Sequence, residues 1–234
     1  MSGGVAERMR PSGYAIFSLI MSMLIYPVVV HSTWGYGFLE TIFRKDDGDS
    51  KWMGGYIDFA GSGVVHLTGG VGALVGAIMV GRRNGRFDPN VNQDQFVPHN
   101  IPLLVLGTLI LWVGWYGFNC GSTLAMSDKA TANLAGLVAV NTTLSAAVGG
   151  LVVLGMRTYF DRRYDVPGLC NGILAGLVSI TAGCGSMTTP WAFATGIIGG
   201  VVYFMVSKLV VLLKIDDPLD AFAVHGGAGI WGVM

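Results

Sequence analysis

Two histidines pose the first chemical question. His66 and His225 each lie eight positions after an aspartate, in "DFAGSGVVH" (58–66) and "DPLDAFAVH" (217–225). Each closes a Val-His pair, and glycines follow: Gly69 and Gly70 in one stretch, Gly226 and Gly227 in the other. An aspartate near a helix start caps free N–H groups and marks the edge of an apolar segment. Eight residues further is ~12 Å along a helix axis, close to the ~15 Å half-thickness of a bilayer core. Both imidazoles are therefore expected near mid-membrane, where an ionisable side chain is costly and functional by default. Neutral imidazole both donates and accepts a hydrogen bond. Two facing rings can line a path for a small polar molecule or relay a proton. The bland reading is a histidine bonded to a neighbouring helix. Two at matched depth, both bedded in glycine, weigh against it.

Such residues need spanning elements to hold them. Apolar segments run over about 13–33, 59–81, 101–124, 133–156, 168–187, 190–213 and 219–234, with polar loops between. The first six are long enough to cross ~30 Å of hydrocarbon at about 1.5 Å per residue. The last is expected to be cut mid-helix, as in a fragment of a longer protein. The runs are continuous rather than alternating, so helices and not a barrel are predicted. The segments of His66 and His225 differ in order by five and so enter from opposite sides. That is the pattern of an inverted repeat, with a site where the two halves meet. Ten of the fourteen Lys and Arg residues fall on the N-terminal side: Arg8, Arg10, Arg82, Arg83, Arg86, Arg157, Arg162, Arg163, Lys208 and Lys214. Arg44, Lys45, Lys51 and Lys129 fall on the other. The N-terminal side is thus predicted to be cytoplasmic, and the loop 34–57 external.

Composition agrees with an all-α polytopic membrane protein. Only 12% of the residues are charged and 52% are hydrophobic, against roughly 25% charged in a soluble domain. Zero net charge removes the electrostatic case for nucleic acid. Cys120, Cys170 and Cys184 lack metal or redox spacing and read as small packing residues. No metal or cofactor site is expected. The sequence offers no nucleophile–base arrangement or phosphate loop, so no enzyme is predicted. The sequon at Asn141 ("NTT") falls inside the fourth apolar segment, which argues for helix packing rather than glycosylation.

The chain resembles the Amt/Mep/Rh ammonium transporter family, and most of all its plant-type eukaryotic branch. The stretches that carry the resemblance are "GGVAERMRP", "YPVVVHSTWG", "DFAGSGVVH", "LILWVGWYGFNCGS", "AVNTTLS", "CNGILAG", "ITAGC" and "DDPLDAFAVHGG". They occur in family order along nearly the whole chain. The resemblance implies an eleven-helix subunit with an inverted five-plus-five repeat, assembled as a homotrimer in the plasma membrane. It implies that residues 1–234 are a partial transporter domain, from just after the third helix into the tenth.

Roles follow position by position from the same resemblance. Trp34 and Ser122 match an external ammonium-recruitment site, with Asp58 needed to build it. Phe118 matches one of two stacked gate phenylalanines, whose partner would lie upstream of Met1. His66 and His225 match the twin pore histidines. The residues themselves admit plainer readings: Trp34 as an interfacial belt tryptophan, Phe118 as packing, Ser122 as a hydroxyl back-bonded to its own helix, and Asp58 as a helix cap. Asp216, Asp217 and Asp220 are all candidates to cap the last helix. Recruited ammonium would lose its proton and pass as ammonia along the histidines. Two alternatives stand beside this: a transport-dead fragment or sensor-like remnant of the family, and a membrane protein that ligates haem through its histidines.

Overall fold

The computed structural model describes residues 1–41 and 56–234. Arg44, Lys45 and Lys51, used above for orientation, lie outside the described residues. Among the described residues the chain is helical. α1 covers 11–34 as Pro11–Ile20, a π-helical turn Met21–Ile25, and Tyr26–Trp34. A single turn, Phe38–Thr41, follows. α2 is Ser62–Val80, whose first turns, Ser62–Leu67, are again π-helical. α3 is Ile101–Gly121, α4 is Lys129–Phe160, α5 is Val166–Ile180 and α6 is Thr189–Leu212. α7 covers 222–233, and its π-helical start is Phe222–Gly227.

Five of these elements are long and apolar enough to cross a membrane: Pro11–Thr41, Ser62–Val80, Gln93–Gly121, Lys129–Phe160 and Thr189–Leu212. α5 is shorter, at 15 residues. The apolar run to 187 was expected to continue it, but turns replace helix from Thr181 to Ser186. There, Asn141 on α4 donates its Nδ2 to the carbonyls of Cys184 and Met187, at 2.9 and 3.0 Å. The buried amide thus holds backbone that helix bonds no longer satisfy. Asn141 is fully buried, which leaves no room for a glycan.

Helix ends carry the caps their sequences suggest. Asn100 accepts from the N–H of Leu103, Asp128 from those of Ala130 and Thr131, and Asp165 from that of Gly168. α4 is 32 residues long, ~48 Å at the usual helical rise, so it projects well past a bilayer core. α4, α5 and α6 form the packed centre. Their close approach requires glycine: a Cβ on Gly176 would strike the backbone of Ser145, and one on Gly149 would meet the Gly172 carbonyl at 2.7 Å. The buried core joins Trp115 of α3, Ala146 and Val153 of α4, Leu177 and Val178 of α5, Tyr203 of α6 and Val224 of α7. α1 lies at the margin with most of its apolar side chains exposed, Met23 at 76%.

Candidate functional site

The site grows from the first turns of α2 and α7. Asp58 precedes α2 and turns its carboxylate onto the backbone ahead. Oδ1 accepts from the N–H of Gly61 at 2.9 Å, and Oδ2 from those of Gly63 and Val64 at 2.9 and 2.8 Å. These donors are the groups a helix start leaves without partners. Asp58 is therefore a cap, as the plainer reading expected. Gly61 supplies the bend at φ +107°, a left-handed conformation that glycine adopts without strain. The N–H of His66 then reaches back five residues to the Gly61 carbonyl, at 3.0 Å. That extra residue in the turn is a π-bulge, a feature frequent at functional sites.

α7 begins the same way with different partners. Asp217 Oδ2 accepts from the N–H of Phe222 at 2.7 Å. This resolves the three candidate caps. Asp217 caps, Asp216 pairs with arginines, and Asp220 points to α6. α2 and α7 run antiparallel against each other. Gly63 faces Val233, Leu67 faces Gly229, and Gly70 faces Gly226. A Cβ on Gly70 would collide with the Gly226 backbone, so the glycines after the histidines are what let the helices cross. This antiparallel crossing is the arrangement expected of segments that enter from opposite sides.

At the crossing the two imidazoles meet. His66 Nδ1 lies 3.3 Å from His225 Nδ1, with ring centroids 5.3 Å apart and planes 16° from parallel. One nitrogen must donate and the other accept, so the two rings hold opposite tautomers. His66 Nε2 is buried without a protein partner. A cleft of about 370 Å³ opens beside the pair, lined by Met21, Ser22 and Tyr26 of α1, by Val65, His66, Thr68 and Gly69, and by His225. All three π-helical turns border it. With nitrogens in contact and rings stacked, no space for a macrocycle separates the histidines, which counts against the haem alternative.

The other candidates lie by the start of α2 and the C-terminal end of α3. Phe118 lies 5.4 Å from the His66 ring, centroid to centroid. Trp34 donates its Nε1–H to the Asp58 carbonyl at 2.7 Å, so α1 is pinned to the start of α2. Ser122 sits one turn beyond Phe118, and its hydroxyl donates to the Phe118 carbonyl at 2.9 Å. That is the back-bond of the plainer reading.

Two participants went unseen in the sequence. Trp115 stacks on His66 at 4.9 Å and 14°, and donates Nε1–H to Thr181 Oγ1 at 3.0 Å. Its spacing of three from Phe118 was the available signal. Ser62 is fully buried. It donates to the Val178 carbonyl at 2.6 Å and accepts from the Ala182 N–H at 2.7 Å, tying α2 to the broken end of α5. No sequence pattern marks it.

At the arginine-rich end, Arg83 grips Asp216 in a bidentate pair. Nε and Nη2 lie 2.9 Å from its two oxygens, and the Arg83 backbone N–H adds a third bond at 2.8 Å. Arg8 also approaches Asp216, and bonds the Gly81 carbonyl. Burial pushes the Asp216 carboxyl up, but the Arg83 bonds and the Arg8 charge outweigh it and hold it below the ordinary value.

Comparison with known proteins gives this geometry a family. The sequence model of the Ammonium Transporter Family matches residues 1–234. Ammonium transporter 1 member 1 of Arabidopsis thaliana is 41% identical over 241 residues, covering 100% of this chain and 48% of that protein. The crystal structure of Candida albicans Mep2 superposes with a TM-score of 0.83 at 33% identity, over 99% of this chain and 47% of that one. A structure described as a Sensor Amt Protein gives 0.82 at 37%, over 99% of this chain and 55% of that one. The chain thus spans about half the length of the relatives it matches. It is a multi-pass membrane protein, and it belongs to the ammonium transporter family.

Proposed function

We propose that this chain carries a conducting path for ammonium. The observation that supports it most is the pair of imidazoles in nitrogen contact at an apolar helix crossing, with one ring nitrogen left without a protein partner. A bare cation crossing the bilayer centre is costly. In this reading ammonium gathers at the mouth bounded by Trp34 and Ser122, with Asp58 behind. It gives up its proton there, which either leaves to water at the mouth or is relayed separately along the imidazoles and carries a current. Neutral ammonia then passes Phe118 and exchanges hydrogen bonds with His66 and His225. A cation at the face of Trp34 gains ~0.5–2 kcal/mol, enough to enrich it without trapping it. Trp115, stacked on His66, keeps that ring from turning out of the path.

Orientation and setting belong to the same proposal. The arginine-rich end faces the cytoplasm and the Trp34 end faces out, in the plasma membrane, as part of a homotrimer. Residues 1–234 form one continuous portion of the transporter domain. A sensor reading is favoured by one observation, the equal match to the Sensor Amt Protein. Growth rescue of a cell deficient in ammonium uptake separates the two, since a sensor without conduction gives none. His66→Ala in the full-length protein tests the path itself. Loss of uptake and current is expected. Unchanged uptake and current would remove His66 from the path.

A further inference from the structure

We infer that Tyr203 and Ser207 on α6, backed by Asn171 and Arg157, are positioning residues that seat His225 through Asp220. The inference rests on the pore reading of His225. Asp220 lies just before α7, and its backbone sits in the left-handed region at φ +53°. A residue with a β-carbon stays there only when its surroundings hold it. Its carbonyl accepts from the Val224 N–H at 2.9 Å, the residue directly before His225. Any swing of Asp220 therefore passes straight into the turn that carries the imidazole.

What holds Asp220 is a pair of α6 hydroxyls on one oxygen, backed by α5 and α4. Tyr203 OH donates to Asp220 Oδ2 at 2.8 Å, and Ser207 Oγ donates to the same atom at 3.0 Å. Each hydroxyl is itself fixed from behind. Asn171 Nδ2 of α5 donates to Tyr203 OH at 3.2 Å, and Arg157 of α4 donates to Ser207 Oγ at 3.2 Å. A hydroxyl has a single proton. Once it accepts from Asn171 or from Arg157, that proton is directed at Asp220. Tyr203, Ser207 and Arg157 are buried and Asp220 and Asn171 are half-buried, so water competes little for these bonds. In the turn of His66, Asp58 is instead occupied by the backbone that immediately follows it.

The double variant Tyr203→Phe/Ser207→Ala in the full-length protein removes both protons and keeps the packing volume. Maximal conduction is expected to fall about tenfold, the scale of a sub-ångström to ångström misplacement of an acting group. The KM for ammonium should stay within about twofold, since the mouth at Trp34 is untouched. Ser207→Thr should restore conduction to the Tyr203→Phe background. In a His225→Ala background the double variant should add no further loss, whereas a merely structural role would add its full effect again. Unchanged conduction, or an equal loss in the two backgrounds, overturns the inference. Should His225→Ala alone leave conduction unchanged, the pore reading fails, and the clamp is decided by a cryo-EM map of the double variant. A His225 ring shifted from His66 then supports it, and an unmoved ring overturns it.

Discussion

The turn that carries His66 is closed by its own backbone. Asp58 collects three N–H groups from the six residues that follow it, and Ser62 fastens the turn to the end of α5. The turn that carries His225 is closed by one such bond, from Phe222 to Asp217, while Asp217 Oδ1 stays buried without a partner. Its other restraints come from distant helices, through Asp220 and Asp216. Two elements with the same spacing and the same π-helical turn are thus stabilised in opposite ways. One is capped by its own backbone and tied to α1 and the end of α5. The other depends on how α4, α5 and α6 are arranged, so a change at the arginine-rich end can reach His225 and leave His66 in place.

Removing the two aspartates should break the symmetry most visibly. Asp58→Ala strands three buried N–H groups, and a cost of about 3 kcal/mol or more is expected, since hydrogen bonds to a charged group are worth roughly 1.5–3 kcal/mol each but share one carboxylate here. Asp217→Ala strands one, and about 1 kcal/mol is expected. Unfolding of the purified full-length variants in mixed micelles measures the difference. Equal losses would mean that the two turns are held alike, against the contrast drawn from their hydrogen bonds.

The crossing itself comes next. Gly70→Ala places a methyl against the Gly226 backbone, which cannot yield as a flexible side chain would. Overpacking of this kind costs about 1–3 kcal/mol. Gly69→Ala is the control, because nothing lies within 4 Å of a Cβ there. Gly70→Ala should lower stability and spread the two imidazoles, and Gly69→Ala should do neither. A stable Gly70→Ala variant with wild-type conduction would show that the helices do not need this contact.

How much of this was legible in the sequence depends on range. The spans, the antiparallel histidine elements and the capping role of Asp58 follow from patterns within nine residues or from hydropathy over twenty. Asp216, Asp217 and Asp220 could not be told apart, because their partners sit just after α2, on α7 and on α6, and no local pattern encodes that. The π-helical turns left no trace either. At α2 the turn follows Gly61, and at α7 it follows Asp220, each in the left-handed region. The early end of α5 was hidden because its turns are as apolar as a helix, and the buried side chains of Asn141 and Ser62 show how those turns are satisfied. Trp115 was missed for a different reason: its spacing from Phe118 is equally that of ordinary core packing.

The smallest expected effect concerns pH, and it bears on the same contrast. Asp216 is held below the ordinary carboxylate value of 3.8. For a group lowered in the folded state, stabilisation is fully present above the unfolded value and drains away as pH falls through the folded one. The arginine-rich end should therefore loosen only below about pH 4, and near neutrality it should be indifferent to pH. Protonation leaves Asp216 an acceptor oxygen for Arg83, so the change is a weakening rather than a rupture. Hydrogen exchange of the full-length protein, read on α7 and on α2 between about pH 5 and pH 3 and corrected for intrinsic rates, follows it residue by residue. Protection at 222–227 should fall relative to 62–67 across that window. In Asp216→Asn the part of that fall carried by Asp216 should be gone, leaving only what protonation of the Asp217 cap contributes. If both turns lose protection together in the wild type, the His225 element is not tied to the arginine-rich end through Asp216, and its restraint comes from Asp220 alone.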